Sequence, residues 1–151
     1  MKQVLLLFSL LLLGLTYACN NTNSSAKNPP PNVETDSANF TQVVWTDSIQ
    51  DFGTVPKGEK VHITYHCKNT GNKPLFIVYA RPGCGCTVAD YTKQAIAPGG
   101  TGEVNAEFDS NHGNPGHIRK TISVRTNTTN RSPVLIFTGE VSAPDSTKKS
   151  S

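Results

Sequence analysis

The 151-residue sequence lacks the features that identify most enzymes and nucleic-acid-binding proteins. No run of Lys or Arg is present, so a face that binds nucleic acid is not expected. Its Ser, His and Asp residues form no recognisable nucleophile elbow, and Gly99-Gly100-Thr101-Gly102 lacks the Lys and the following helix of a phosphate-binding loop. Aromatic residues make up 7% of the chain and do not cluster as they would on a glycan-binding surface. We therefore expect a protein that is not an enzyme and that binds no cofactor.

Long hydrophobic segments are also absent, with one informative exception at the N-terminus. Residues 4–15 form an almost unbroken apolar run, but a membrane-spanning helix needs about 20 such residues. Lys2 before the run and Thr16-Tyr17-Ala18 after it are typical of a cleaved export signal. The sequence therefore predicts a signal peptide over residues 1–18.

Cys19 directly follows this signal, at the position where a bacterial lipoprotein receives its lipid. We expect Cys19 to be lipidated and to anchor the chain in the bacterial cell envelope, at the outer membrane and facing the periplasm. The expected partners are this membrane and another envelope protein. An alternative stays open, because Thr16 and Ala18 also satisfy the small-x-small rule of ordinary signal peptidase. Cleavage by that enzyme would give a soluble periplasmic or secreted protein.

Composition divides the rest of the chain into three parts. Residues 19–38 are polar and include Pro29-Pro30-Pro31, which favours polyproline II and predicts a flexible, lipid-anchored linker. Residues 142–151 are small, polar and basic, with no apolar pattern, and predict a disordered tail. Between them, residues 39–141 have the usual size of one domain.

Within residues 39–141 the apolar period is two, which is the period of a strand. In the segment 61–68 apolar residues take the odd positions and polar residues the even ones, which predicts a strand with one buried face. Similar runs separated by Gly, Asn and Pro predict an all-β, antiparallel sandwich of about seven strands. The Cys…Trp…Cys spacing of antibody domains is absent, because Trp45 precedes the three downstream cysteines. The alternation predicts that twelve side chains face the core, namely Trp45, Phe52, Ile63, Tyr65, Cys67, Ile77, Val104, Phe108, Ile122, Val124, Leu135 and Phe137.

Five short motifs follow one another along this domain. They are Phe52-Gly53-Thr54-Val55, Asn69-Thr70-Gly71-Asn72-Lys73-Pro74-Leu75, Cys84-Gly85-Cys86-Thr87, Ile96-Ala97-Pro98-Gly99-Gly100 and Phe137-Thr138-Gly139-Glu140-Val141. In this order they resemble the DUF1573 family, bacterial envelope proteins of unassigned function that are commonly lipoproteins. The resemblance implies a single immunoglobulin-like sandwich akin to the ASH and major-sperm-protein group, and it brings no reaction, cofactor or catalytic residue. One departure is Cys67, at a position where a large apolar residue is expected.

Cys84 and Cys86, separated by Gly85, are the candidate site residues of the domain. In an oxidising compartment they can form a disulfide, and our first expectation for the pair is a structural disulfide or two buried thiols. Closing a three-residue loop contributes only about 1.6 kcal/mol, against about 3 kcal/mol for fifteen residues. A strained, exposed disulfide is easily reduced, which indicates a redox role instead. Two thiolates can also bind Cu(I) or Zn, although a closed zinc site needs four ligands.

The four histidines do not complete a metal site. His62 and His66 face the same side of a predicted strand but lie roughly 13 Å apart at 3.3 Å per residue, and His112 and His117 fall in a predicted loop. No metal site is therefore predicted. Our first expectation for function is a non-enzymatic, lipid-anchored envelope sandwich that acts as a binding or structural module. The alternative is a thiol-redox or copper-handling envelope protein that uses Cys84 and Cys86.

Overall fold

Eight β-strands make up the structure, a computed structural model that describes residues 32–33, 35–112, 114–130 and 133–143. Two 3-10 turns of helix, Ser37–Asn39 and Ser110–His112, accompany them. The strands are β1 (Val43–Trp45), β2 (Ile49–Pro56), β3 (Lys60–Asn69), β4 (Ile77–Pro82), β5 (Thr87–Tyr91), β6 (Thr101–Asp109), β7 (Gly116–Thr126) and β8 (Val134–Ser142).

The strands form two four-stranded sheets, in the orders β1-β3-β6-β5 and β2-β8-β7-β4. The predicted all-β sandwich is confirmed, with eight strands where about seven are predicted. One pairing departs from the antiparallel pattern, because β2 lies parallel to β8. Alternation within a strand says nothing about strand direction, and β2 pairs with a strand near the other end of the domain sequence.

The interior of the sandwich follows the predicted alternation. Ten of the twelve predicted core residues are buried, so the register read from the sequence is correct. The other two, Trp45 and Phe52, pack against the core but stay partly exposed. Both lie on strands at the edge of a sheet, β1 and β2, where no further strand covers the open side among the described residues.

Both ends of the domain differ slightly from the predicted limits. Val33 belongs to the segment predicted as linker and is buried, at 3% exposure. At the other end, β8 continues to Ser142, one residue past residue 141. The predicted signal peptide, Cys19 and most of the predicted linker and tail lie outside the described residues.

Candidate functional site

The predicted cysteine pair forms a disulfide at a corner of the sandwich. Sγ of Cys84 and Sγ of Cys86 are 2.07 Å apart, with 5.3 Å between the Cα atoms. Both residues belong to the turn that carries the chain from β4 in one sheet to β5 in the other. Cys86 is buried, at 9% exposure, whereas Cys84 is partly exposed. The more accessible sulfur of the pair is therefore that of Cys84.

Thr87 places its hydroxyl beside both sulfur atoms. Its Oγ1 lies 3.6 Å from Sγ of Cys84 and 3.9 Å from Sγ of Cys86. The backbone N–H of Thr87 donates to the carbonyl of Cys84 at 3.4 Å, and the carbonyl of Cys86 accepts from the N–H of Asp109 at 2.9 Å. These contacts fix the turn from two sides, so the hydroxyl stays within reach of either sulfur.

A depression of about 180 Å³ lies beside this turn and is lined by Gly85, Cys86 and His112, among others. Across it, Lys60 Nζ donates to Glu107 Oε1 at 2.6 Å, and this bond holds the pKa of the Glu107 carboxyl below its usual range. The ammonium group of Lys60 is therefore already paired with a carboxylate. Nothing in this lining supplies an excess positive charge that would favour a thiolate.

The histidines are distributed over the surface. His112 Nδ1 lies 3.3 Å from Oδ2 of Asp109, and His62 Nε2 lies 3.8 Å from Oε2 of Glu107. His117 stands in β7 opposite Glu140, in a strand where the sequence predicts a loop. Among the described residues, no three His, Cys, Asp or Glu side chains are placed to hold a metal ion.

Cys67 is a free thiol in the core, at 1% exposure. Burial raises its pKa to about 11, against a smaller lowering effect from a hydrogen bond with the Gly102 backbone. Gly102 makes room for Ile96 rather than for the thiol, because a Cβ on it would clash with Cδ1 of Ile96 but would lie at an ordinary 3.4 Å from Sγ of Cys67. Cys67 therefore behaves as a small apolar side chain and is a poor nucleophile at neutral pH.

A second candidate site, which the sequence does not reveal, lies at the outer edge of β1. The backbone of Thr70 donates to Gln42 and that of Thr46 donates to His66, both at 3.0 Å. Hydrogen-bonded and non-hydrogen-bonded pairs alternate along antiparallel strands. The N–H and C=O groups of Val43 and Trp45 therefore point away from β3, toward the open side of the sheet.

This open side is the wall of a groove, which we call the β1 slot. The Thr41 N–H donates to the Asn127 carbonyl at 3.0 Å, and Thr41 forms an isolated parallel bridge with Thr128. In the part of the chain that the structure describes, this pairing is not continued at Val43 and Trp45. The slot has a volume of about 340 Å³, and none of the described residues that line it is ionisable; they are Thr41, Gln42, Val43, Val44, Trp45, Thr70, Thr128, Thr129, Asn130 and Pro133.

Two further features distinguish the β1 slot from an ordinary surface groove. The indole Nε1 of Trp45 is buried and has no hydrogen-bond partner among the described residues, although a buried donor normally has one. Val44 presents an apolar side chain that is 53% exposed on the other face of β1. The slot thus combines apolar surface with backbone groups that meet no strand among the described residues.

Two buried asparagines hold the end of the sandwich where the slot lies. The side chain of Asn127 accepts from the N–H of Phe76 at 2.7 Å and donates to the carbonyls of Asn39 and Pro74 at 2.7 and 3.0 Å. Asn69 similarly accepts from Thr41 Oγ1 at 2.9 Å. Both are 0% exposed. Composition predicts turns at these positions; the long-range contacts that make them structural become visible only in the fold.

Among the described residues, no helix has the length and apolar character needed to cross a membrane.

Comparison with known proteins identifies a family and a fold. The family model described as "Protein of unknown function (DUF1573)" matches residues 43–141. A protein of unknown function from Porphyromonas gingivalis W83 has a similar structure, with a TM-score of 0.61 and 19% identity over 70% of this chain. The match covers 49% of that protein, so the chain spans about half of its length.

The ASH / PapD-like domain 7 of human CEP192 is also similar, with a TM-score of 0.51 and 13% identity over 70% of this chain and 89% of that one. At these identities the likeness concerns the immunoglobulin-like fold alone. No curated protein matches the sequence.

Proposed function

Because the chain belongs to the DUF1573 family of proteins of unknown function, we propose that it acts as a non-enzymatic binding module of the bacterial cell envelope. In this proposal a lipid on Cys19 anchors the module to the outer membrane. The β1 slot receives an extended segment of another envelope protein. The observation that carries the proposal is the set of N–H and C=O groups of Val43 and Trp45 that point away from β3 and meet no strand among the described residues, beside a slot whose described lining is uncharged and largely apolar.

Strand addition is the binding mode that these groups fit. An exposed sheet edge offers its N–H and C=O groups to an extended peptide, and adjacent pockets select alternate side chains. At β1 the bridge between Thr41 and Thr128 already gives one step of pairing on this side. An incoming segment would extend that pairing along Val43 and Trp45.

The lining of the slot indicates the chemistry of the segment. Its described residues include no ionisable side chain to pair with a charge, and a charge buried without a partner is strongly unfavourable. The expected segment is therefore uncharged and carries apolar or hydroxyl side chains.

This chain itself is a poor source of such a segment. The part that leads into the domain carries Pro29-Pro30-Pro31, and proline lacks the N–H that strand pairing uses. On the other side of the domain, the chain leaves the sandwich after Ser142, which pairs with Pro56. Ser142 and Val134 are the two ends of β8, which is nine residues long, and only the Val134 end lies next to the slot. We therefore assign the occupant to a different protein.

Site-directed photo-crosslinking in the native envelope tests the proposal. A photoreactive residue at Gln42, which lines the slot, should give a specific adduct whose linked positions fall in one short, uncharged segment. The matched control is the same residue at Val88, which is 65% exposed on β5 at the far edge of the same sheet. The same adduct from both positions would contradict the proposal.

A proline at Val43 adds a stricter control. The Val43 N–H points into the slot rather than to β3, and proline is tolerated at such edge positions. Val43→Pro should therefore leave the fold intact but suppress the Gln42 adduct. Trp45→Phe should leave the stability of the isolated chain unchanged or raised, because it removes an unpaired buried donor. If a folded Val43→Pro variant gave as much of the Gln42 adduct as the native chain, the strand-addition mode would be contradicted.

A further inference from the structure

The disulfide at the β4–β5 corner contributes little to the stability of the fold. It closes a loop of three residues, and the stabilising effect of a disulfide falls as its loop shortens. The corner has independent connections, since the Gly83 N–H donates to the carbonyl of Thr121 in β7 at 2.9 Å and the carbonyl of Cys86 accepts from the N–H of Asp109 in β6 at 2.9 Å. The corner therefore stays attached to both sheets when the disulfide is open.

The surroundings of the two sulfurs are asymmetric in a way that suits exchange. Cys84 is partly exposed and follows an exposed glycine, whereas Cys86 is buried in the core cluster. Gly85 between them is exposed and has open space where a side chain would stand. An incoming thiolate therefore has access to Cys84, and the Thr87 hydroxyl lies within reach of the sulfur that would leave.

We propose that the Cys84–Cys86 disulfide is an exchangeable one, which a dithiol protein of the envelope reduces by attack on Cys84. The role is separate from strand binding at the β1 slot, which lies at the other end of the sandwich. Thr87 is a positioning residue in this proposal, because its hydroxyl donates a hydrogen bond to the departing sulfur of Cys86.

The exchange is balanced as follows. A thiolate of the dithiol bonds to Sγ of Cys84 as the Cys84–Cys86 bond breaks, and the bonding electron pair leaves on Sγ of Cys86, which takes a proton from water. The second thiol of the dithiol, deprotonated, attacks its neighbour in the mixed disulfide and releases Cys84 as a thiolate, which also takes a proton. The dithiol loses two electrons and two protons, and the pair Cys84 and Cys86 gains them.

Reduction of the native full chain by dithiothreitol, without denaturant, tests the proposal. Alkylation of the freed thiols and peptide mass spectrometry give the rate at Cys84 and Cys86, while Cys67 reports on unfolding because it is buried. We expect complete reduction with Cys67 unmodified and the circular dichroism spectrum unchanged. A disulfide that opens only in guanidinium, or whose opening exposes Cys67, would overturn the proposal.

Variants at Thr87 test the positioning role. Thr87→Val keeps the shape but loses the hydroxyl, so reduction should slow about fivefold, the factor of one ordinary hydrogen bond. Thr87→Ser should restore the rate to within about twofold. Equal rates in the native chain and in a folded Thr87→Val variant would remove Thr87 from the mechanism.

Single-cysteine variants test the direction of attack. With oxidised glutathione, Cys84 in the Cys86→Ser variant should form a mixed disulfide at least tenfold faster than Cys86 does in the Cys84→Ser variant. The reverse order would contradict attack at Cys84. The Thr87 variants keep the proposal testable if either serine variant fails to fold.

Discussion

The Asp47 carboxylate contacts His66 at two places, the backbone N–H and the ring. The backbone N–H of His66 donates to Oδ1 at 2.7 Å, and the ring Nδ1 lies 2.9 Å from Oδ2. Asp47 belongs to the short connection in which the chain leaves β1 for β2 and so changes sheets. This pair therefore fixes the chain immediately after the edge strand that lines the β1 slot.

The Asp47–His66 pair should make stability depend on pH. The hydrogen bond that the His66 ring donates to Asp47 raises the pKa of His66 above 6.5. Burial raises the pKa of Asp47, but the hydrogen bonds and charge of His66 outweigh it and bring that pKa below 3.8. The His66 contribution is complete below about pH 6.5 and is lost as pH rises through its folded pKa. The Asp47 contribution is present above about pH 3.8 and is lost as pH falls through its folded pKa.

The pair therefore stabilises the fold most between about pH 4 and 6.5. An NMR titration of the His66 ring should give a raised pKa that returns toward 6.5 in the Asp47→Asn variant. An identical His66 pKa in both proteins would show that the contact does not exist in solution.

Asn127 should be among the least replaceable side chains of the domain. Asn127→Ala would leave the buried N–H of Phe76 without its acceptor and would remove the donors to the carbonyls of Asn39 and Pro74. An unsatisfied buried group costs about 1–3 kcal/mol, so we expect a loss of roughly 3 kcal/mol or more in the free energy of unfolding. Asn72→Ala, at an exposed position of a neighbouring turn, is the control and should cost under about 0.5 kcal/mol. Chemical denaturation of both variants measures the difference, and equal costs would refute the structural role of Asn127.

Gly139 leaves room for the ring of Phe52 on the edge strand β2. A Cβ on Gly139 would lie 2.3 Å from Cε2 of Phe52, and that ring packs 5.9 Å from the ring of Phe108. Gly139→Ala should therefore cost about 1–3 kcal/mol through overpacking. Gly85→Ala is the control, because nothing lies within 4 Å of its added methyl group. Thermal unfolding should separate the two variants, and a Gly139→Ala protein as stable as Gly85→Ala would contradict the packing described.

Lipidation of Cys19 can be tested by fractionation. If the lipid is present, the native chain should sediment with the membrane fraction, whereas Cys19→Ala should become soluble or retain its leader. Mass spectrometry of the N-terminal peptide gives the modification itself. A native chain that is cleaved after Ala18 and is wholly soluble would show that the protein is an ordinary exported protein and not a lipoprotein.

The sequence predicts the parts of this fold that local pattern determines. The alternation at Ile63, Tyr65 and Cys67 gives the correct buried face, because a strand side chain has only two directions to point. The parallel pairing of β2 with β8 was not predicted, since it joins residues that are more than eighty positions apart. Long-range pairing leaves no periodic trace in either segment.

The candidate sites follow the same division. The Cys84-Gly85-Cys86 spacing marks one site directly in the sequence. The β1 slot leaves no such mark, because it arises where the bridge between Thr41 and Thr128 stops and, among the described residues, no strand pairs with Val43 and Trp45 on the side away from β3. A backbone edge is a property of topology, and the side chains beside it are those of an ordinary strand.

Amide hydrogen exchange at Val43, Val44 and Trp45 tests the strand-binding account most directly. In the isolated chain, the Val44 amide bonds to β3 and should exchange slowly, whereas the outward amides of Val43 and Trp45 should exchange fast. In the chain captured with its partner from the envelope, all three should be slow. Amides of Val43 and Trp45 that exchange equally fast in both samples, or that are already protected in the isolated chain, would contradict strand addition at the β1 slot.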